Sequence, residues 1–248
     1  MAEKMLKIKE IQNDLYTLMK TVHDFCISNE IEYSLTGGSL LGAIRHNGFI
    51  PWDDDLDIMM TRDNYNKFRN CYEKNGLGEC VFERDQWVYR VRKTHKEKGF
   101  IPSIDFFIID KAPANPVIGM LQVFFLKVLQ GMLRTNEKKG EYSSLYTILI
   151  KISEGFGKLF RNNTLFNWYD QISQWGNKSN SQEVSIFNDR FKLIGLRYDS
   201  SLTSEYKNHV FEDTEFRIIE KYNDYLTLQF GDYMQLPPEQ ERVPQHIF

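Results

Sequence analysis

The chain is short of cysteine, of positive charge and of uninterrupted apolar runs. Its 248 residues include three cysteines, Cys26, Cys71 and Cys80. Their spacing suits neither a disulfide framework nor a zinc finger, so free thiols in a reducing compartment are expected. A formal net charge of −3 leaves no broad basic field, and no nucleic-acid partner is expected. The start, Met-Ala-Glu-Lys-Met-Leu-Lys, has no apolar core before a small-residue cleavage site, which predicts no signal peptide and a cytoplasmic location. The longest apolar run, Val117 to Met132, is interrupted by Gln122, Lys127 and Gln130. A membrane span takes about 20 predominantly apolar residues, so this run is expected to be a buried helix or one lying on a membrane surface. Composition is otherwise that of a globular protein, with 42% hydrophobic and 26% charged residues. One domain with a helical appendage fits the length.

What is present centres on Ser34 to Met60. Ile31 to Leu35 reads as a short buried strand, Thr36 to Ser39 as a turn, and Leu40, Leu41, Ala43 and Ile44 follow at helical spacing. Paired glycines let the backbone approach a ligand and adopt positive φ. A helix start beside them suits phosphate. The stretch closes on Asp53, Asp54, Asp55, Leu56, Asp57 and Ile58. In a strand from Leu56 to Met60, alternation puts Asp55 and Asp57 on one face and Leu56 and Ile58 on the other. Two carboxylates aimed at one point need a cation between them. In an oxygen-only site that cation is Mg²⁺, with Mn²⁺ as an alternative. Glycine turn and carboxylate pair together point to metal-assisted phosphoryl or nucleotidyl transfer. A solvated acidic turn is the plain alternative.

Further along, Ile101 to Asp110 is an apolar strand with Asp105 embedded in it. A buried lone carboxylate is costly, and meeting Asp55 and Asp57 to share their metal would make sense of it. Asp110 is expected to cap the turn that follows. Ile8, Ile11, Leu15, Leu18, Met19, Val22, Phe25 and Cys26 predict an amphipathic helix ending near Ser28, with His23 structural. Arg62 to Lys74 is a predicted helix, and Cys80 to Phe82 and Val88 to Arg92 are predicted strands. Arg84, Arg90, Arg92, Lys93, His95, Lys96 and Lys98 form the most basic part of the chain, either a solvated hairpin or a face for an anionic substrate. Helices are expected over Leu145 to Phe160 and Thr164 to Trp175, with a polar break at Thr135 to Gly140 and a polar linker from Gly176 to Glu183. A last helix is expected from Ile218 to Phe230, entered from Phe211 to Phe216.

Gly37-Gly38-Ser39 followed by Asp55-Leu56-Asp57-Ile58 resembles the signature of the nucleotidyltransferase superfamily, and the step around Asp105 resembles its third acidic element. The longer string, Leu-Leu-Gly-Ala-Ile-Arg-His and then Gly-Phe-Ile-Pro-Trp-Asp-Asp-Asp, is similar to the LicD/fukutin family of phosphotransferases. The tail from Gly231 through Pro237-Pro238 to Arg242 and His246 resembles that family's closing motif. The resemblance implies an α/β (α+β) fold: a small mixed, nucleotidyltransferase-like sheet with flanking helices. The expected parts are a catalytic core over 1–111, a helical insertion over 112–183 and a segment over 184–248 that completes the site.

It further implies transfer of a phospho-alcohol, typically phosphocholine, from a CDP-activated donor to a glycan hydroxyl, including lipid-linked acceptors, with peripheral contact at the inner face of a membrane. Asp55, Asp57 and Asp105 are the expected metal ligands and catalytic carboxylates. Gly37, Gly38, Ser39, Arg45, His46, Trp52, Asp53, Arg242 and His246 are the expected substrate and phosphate contacts, Asp53 as a brace. A choline site would use aromatic faces, for which Trp52, Trp87, Tyr89 and Tyr233 lie in or near these segments. Transfer of a ribitol or glycerol phosphate, or nucleotidyl transfer to a small molecule or protein, keeps the same fold.

Overall fold

The computed structural model describes residues 2–94, 101–133, 155, 157 and 159–244, the first five by backbone alone. His95, Lys96, Lys98 and His246, the break at Thr135 to Gly140 and most of the helix expected over Leu145 to Phe160 lie outside the described residues. The fold is α/β. The chain forms two units: Met1–Glu83 with Tyr89–Ile108 and Ser201–Phe248, and Arg84–Val88 with Ile109–Ser200.

In the first unit, α1 (Ala2–Ser28) buries Ile11, Leu15, Leu18, Met19, Val22 and Cys26, the stripe its periodicity predicts. His23 Nδ1 meets the Tyr33 hydroxyl at 2.8 Å, and burial lowers the imidazole's pKa, which makes it a core residue. Strand β1 (Ser34–Leu35) pairs antiparallel with β2 (Asp57–Thr61), Leu35 opposite Ile58. Between them runs α2 (Gly37–His46), which ends on Asn47 in the left-handed conformation. Thr61 caps α3 (Arg62–Asn75) by accepting from the Asn64 N–H. Beyond it lie β3 (Cys80–Asp85), β4 (Val88–Lys93) and β5 (Ser103–Lys111), in the sheet order β1-β2-β5-β4-β3. Phe68, Phe82, Tyr89, Phe106 and Tyr65 pack as one aromatic cluster, Tyr65 and Tyr89 with ring centres 4.8 Å apart. Tyr89, half-buried, is thus taken up by packing in this cluster.

The second unit is built on α4 (Pro116–Leu133) and α5 (Asn162–Ser173), with β6 (Glu183–Ile186) pairing antiparallel with the end of β5 and with β7 (Tyr198–Asp199). Ala112, Leu126, Leu129, Leu133, Leu165, Tyr169, Phe187 and Ile194 form its core, with Trp87 packed against them. Trp87 is thus also taken up by packing. Asp110 does not cap a turn. It is buried inside β5, opposite Ser185, and its carboxylate accepts from Asn177 Nδ2 at 2.6 Å, because β6 continues the pairing past it. The three cysteines are free.

The end of the chain differs from the expected helix. Tyr206–Phe211 and Thr214–Ile219 form a two-stranded hairpin, β8 and β9, and α6 begins only at Tyr222 and ends at Phe230. Phe216 and Ile218 alternate inward along β9, a period of two that wins over the three- and four-residue spacing. The Ile219 N–H donates to Ser34 Oγ at 3.0 Å and Arg217 forks onto Glu32, so the hairpin is tied to the segment entering β1.

Candidate active site

The two glycines opening α2 answer two different needs. Gly37 has φ +53, a conformation that excludes most side chains. A Cβ on Gly38 would sit 2.8 Å from Asp53 Oδ2, and one on Gly37 3.7 Å from Asp57 Oδ2. Two carboxylates therefore close on the first turn of α2, where N–H groups have no intrahelical acceptor and the helix dipole is positive. Ser39 is buried, and its hydroxyl oxygen accepts from the Asp57 N–H at 2.8 Å, leaving its O–H free to donate. The Thr36 N–H donates to the Asp57 carbonyl at 3.1 Å. The Thr36 hydroxyl meets that of Tyr225 on α6, so the turn is held from behind.

The acidic run is a cluster in space. Burial, then the neighbouring Asp55 carboxylate and its hydrogen bond, then Asp54, push the Asp53 carboxyl well above the usual range. Asp54 is buried and Asp57 nearly so. Asp105 joins this strand pair through its N–H, which donates to the Leu56 carbonyl at 3.2 Å. Its carboxylate is forked by Arg90, with Nε 3.0 Å and Nη2 3.1 Å from the two oxygens, from the position directly opposite on β4. Among the described residues no trio of carboxylate, imidazole or thiol groups is already drawn together tightly enough to hold an ion. The donor set nonetheless fits a hard cation. It is made of oxygens only, and Asp53, itself desolvated, stands with Asp54 and Asp55 as a cluster of like charge against a glycine cradle.

Three of the basic residues have partners of their own. Arg84 donates to the Phe166 carbonyl and Arg92 forks onto Glu83, while Arg90 holds Asp105. The cations at the other end of α2 are different. Arg45 Nη1 donates to the carbonyls of Tyr233 and Gln235 at 2.8 and 3.2 Å, and Arg242 Nε to that of Pro237 at 2.9 Å. Arg242 lies over the Trp52 ring, 5.7 Å from its centre, and His46 meets Trp52 edge-on. Neither guanidinium has a carboxylate partner among the described residues. Burial and then Arg242 lower the pKa of Arg45, and burial and then Arg45 lower that of His46, whose Nδ1 is buried without a hydrogen-bond partner. Arg45, His46 and Trp52 lie within eight residues of one another, and Arg242 joins them from the far end of the chain, so two guanidiniums and an imidazole gather round one indole.

Residues 30–112 match the family model described as LicD/FKTN/FKRP, nucleotidyltransferase domain. Lipopolysaccharide cholinephosphotransferase LicD of Haemophilus influenzae is 30% identical over 98% of this chain and 97% of its own length. The chain belongs to the LicD family. Human ribitol 5-phosphate transferase FKRP is 43% identical over 56 residues, 22% of this chain and 11% of that protein. An uncharacterised protein of Rickettsia prowazekii, RP689, is 38% identical over 41% of each chain.

Several residues that hold this candidate site escape a reading of the sequence. Gln12 Nε2 donates to the carbonyls of Ile50 and Asp53 at 3.1 and 2.8 Å, fixing the loop that carries Trp52. Its one signal is a polar residue between Ile11 and Leu15 on the buried stripe of α1. Glu212, in the β8–β9 turn, accepts from the Phe49 N–H at 3.2 Å and donates its own N–H to the Asn47 carbonyl at 2.7 Å. Arg90 stands in a basic run with no sign that it faces Asp105.

Proposed function

We propose that the chain transfers phosphocholine from CDP-choline to a hydroxyl of a cell-surface glycan, such as a teichoic acid, capsule or lipopolysaccharide precursor, releasing CMP, with Mg²⁺ or Mn²⁺ bound. As a member of the LicD family it is a LicD-like phosphotransferase that moves a phospho-alcohol onto glycans. Choline as the alcohol, CDP as its carrier and the metal are this proposal's own. The observation that carries it is the convergence of Asp53 and Asp57 on the Gly37–Gly38 start of α2.

Asp55, Asp57 and Asp105 are the residues that would hold the metal, which would supply neutralisation of phosphate charge there. The first turn of α2 and the Ser39 hydroxyl donate to phosphate oxygens. Arg45 and Arg242 take a further anionic group of donor or acceptor, and Trp52 offers a face to the quaternary ammonium once Arg242 shifts to that anion. Asp105, oriented by Arg90, receives the proton of the acceptor hydroxyl. The acceptor oxygen forms its bond to the choline-bearing phosphorus as the bond to the CMP oxygen breaks, and that electron pair leaves with CMP. Trp52 and Tyr233 remain as aromatic candidates after Trp87 and Tyr89 are assigned to packing.

The stretch shared with a ribitol 5-phosphate transferase favours a second reading, in which the group moved is a phospho-polyol. CMP release is to be measured from CDP-choline, CDP-ribitol and CDP-glycerol with an acceptor glycan, with Mg²⁺ and with EDTA. CDP-choline should be turned over fastest, and only with metal. Faster turnover of a polyol donor replaces choline, and full activity in EDTA removes the metal.

A further inference from the structure

Surface helices ordinarily turn their polar residues to water, and α4 does the reverse. Gln122 Nε2 donates to the Ile172 and Ser173 carbonyls at the end of α5, at 2.8 and 3.1 Å. Gln130 Nε2 donates to the Tyr169 hydroxyl and the Asp189 carbonyl, at 3.1 and 2.8 Å. Both glutamines are 0% exposed, whereas Met120 is 74% and Phe124 60% exposed, with Val117, Ile118, Leu121 and Phe125 open beside them. Two of the three polar interruptions of this run, Gln122 and Gln130, therefore point inward, the third, Lys127, is half-buried with its ammonium over the Phe191 ring, and the exposed residues named above are apolar.

Trp175, itself exposed, meets Phe125 edge-on at 6.0 Å and extends the patch. Next to it, Gly176 packs directly on the backbone of Lys111, so Lys111 lies near Trp175 in space and Lys178 three residues after it in sequence, and both lysines are exposed. Neither lysine has a carboxylate partner among the described residues. An apolar helix face edged by tryptophan and lysine is the arrangement that interfacial helices present to an anionic membrane. A second copy docking by a twofold axis would bring the same lysine rim from both subunits into one interface.

We propose that the outer face of α4 docks the second unit on an anionic lipid bilayer, lying on it without crossing it. By length and composition α4 could cross a membrane. Its two buried glutamines and Leu126, Leu129 and Leu133, packed in the core, hold it to the protein instead. The proposal does not rest on the transfer reaction, and its test needs no substrate.

Flotation of the full chain with phosphatidylglycerol-containing and pure phosphatidylcholine vesicles, at low and high salt, tests it. The chain should float with the anionic vesicles at low salt and be released by carbonate. M120E/F124E should lower the bound fraction by about tenfold or more. K111E/K178E should lower it severalfold and remove its salt dependence. Thermal melts show whether M120E/F124E folds, and the lysine variant carries the test if it does not. No flotation by the wild type, flotation unchanged in both variants, resistance to carbonate, or a dimer in sedimentation that M120E/F124E dissociates without vesicle binding would each overturn the proposal.

Discussion

Helices α2 and α4 are both rich in apolar residues, yet they face their surroundings in opposite ways. α2 buries Leu40, Leu41 and Ala43 and gathers its polar chemistry at its two ends, carboxylates at the glycine start and cations at the finish. α4 buries its glutamines and shows its methionine and phenylalanines. In the first unit the Asp53 carboxyl is held beside like charge, that of Asp55. In the second unit the buried glutamines meet neutral acceptors through Nε2, while the Oε1 of each is buried without a hydrogen-bond partner among the described residues.

The largest effect expected from this difference falls on the carboxylates of the first unit. Asp55→Ala and Asp57→Ala should each lower CMP release by about 10³-fold or more. Their melting temperatures in EDTA should stay level or rise, because a like charge has been removed from a desolvated cluster. Activity near that of the wild type in a well-folded variant would remove these residues from the chemistry.

Gly38→Ala tests the cradle itself. The new methyl would press on Asp53 Oδ2, so the carboxylate must move from the first turn of α2. A displacement of this size should lower turnover by about 10–100-fold with little change in melting temperature. Gly42→Ala, in the same helix, meets the Gly48 carbonyl at 2.5 Å instead and should chiefly destabilise. Equal loss of stability in both variants would mean that Gly38 is a packing residue as well.

In the second unit the corresponding change should act on stability alone. Gln122→Leu leaves the Ile172 and Ser173 carbonyls without the donor that now reaches them, at a cost of about 1–3 kcal/mol in denaturant unfolding. kcat should be unchanged well below the melting point. A stabilised variant would show that the apolar contacts of a leucine outweigh those two hydrogen bonds.

What the sequence discloses follows how local the cause is. Gly37, Gly38, Ser39, Asp55 and Asp57 sit within one strand–turn–helix–strand stretch, so their placement can be read from spacing. The β8–β9 hairpin turns on Glu212-Asp213, with Glu212 at φ 57, and lacks the Asn-Gly or Asp-Gly pair that ordinarily marks such a turn. Ile218 and Ile219 then pass for the start of α6. The Arg90–Asp105 fork depends on strand register, which no spacing within one strand discloses. For α4, periodicity defines a stripe but not which side faces in, and Gln122 and Gln130 look like solvent-facing residues until α5 is placed beside them.

The smallest effect expected distinguishes the two units by pH. In the second unit Asp189 is buried, and burial pushes its carboxyl up to about 6, with the Arg190 N–H and charge pulling the other way. Unlike Asp53, it is raised with no second carboxylate contributing. An unfolded aspartate titrates near 3.9. Between about pH 4 and pH 6 the folded chain keeps this proton while the unfolded chain has lost it, so stability falls as pH rises through that window. Above about pH 6 both states are ionised and the penalty is constant. Asp189→Asn keeps an acceptor for the Arg190 N–H and cannot ionise. Relative to the wild type it should therefore be more stable at pH 8 by about 1–3 kcal/mol, a difference that closes by about pH 4. Urea unfolding of both proteins at pH 4, 6 and 8 measures it. A difference of constant size at all three would assign the change to packing and leave Asp189 without a role in the chain's pH response.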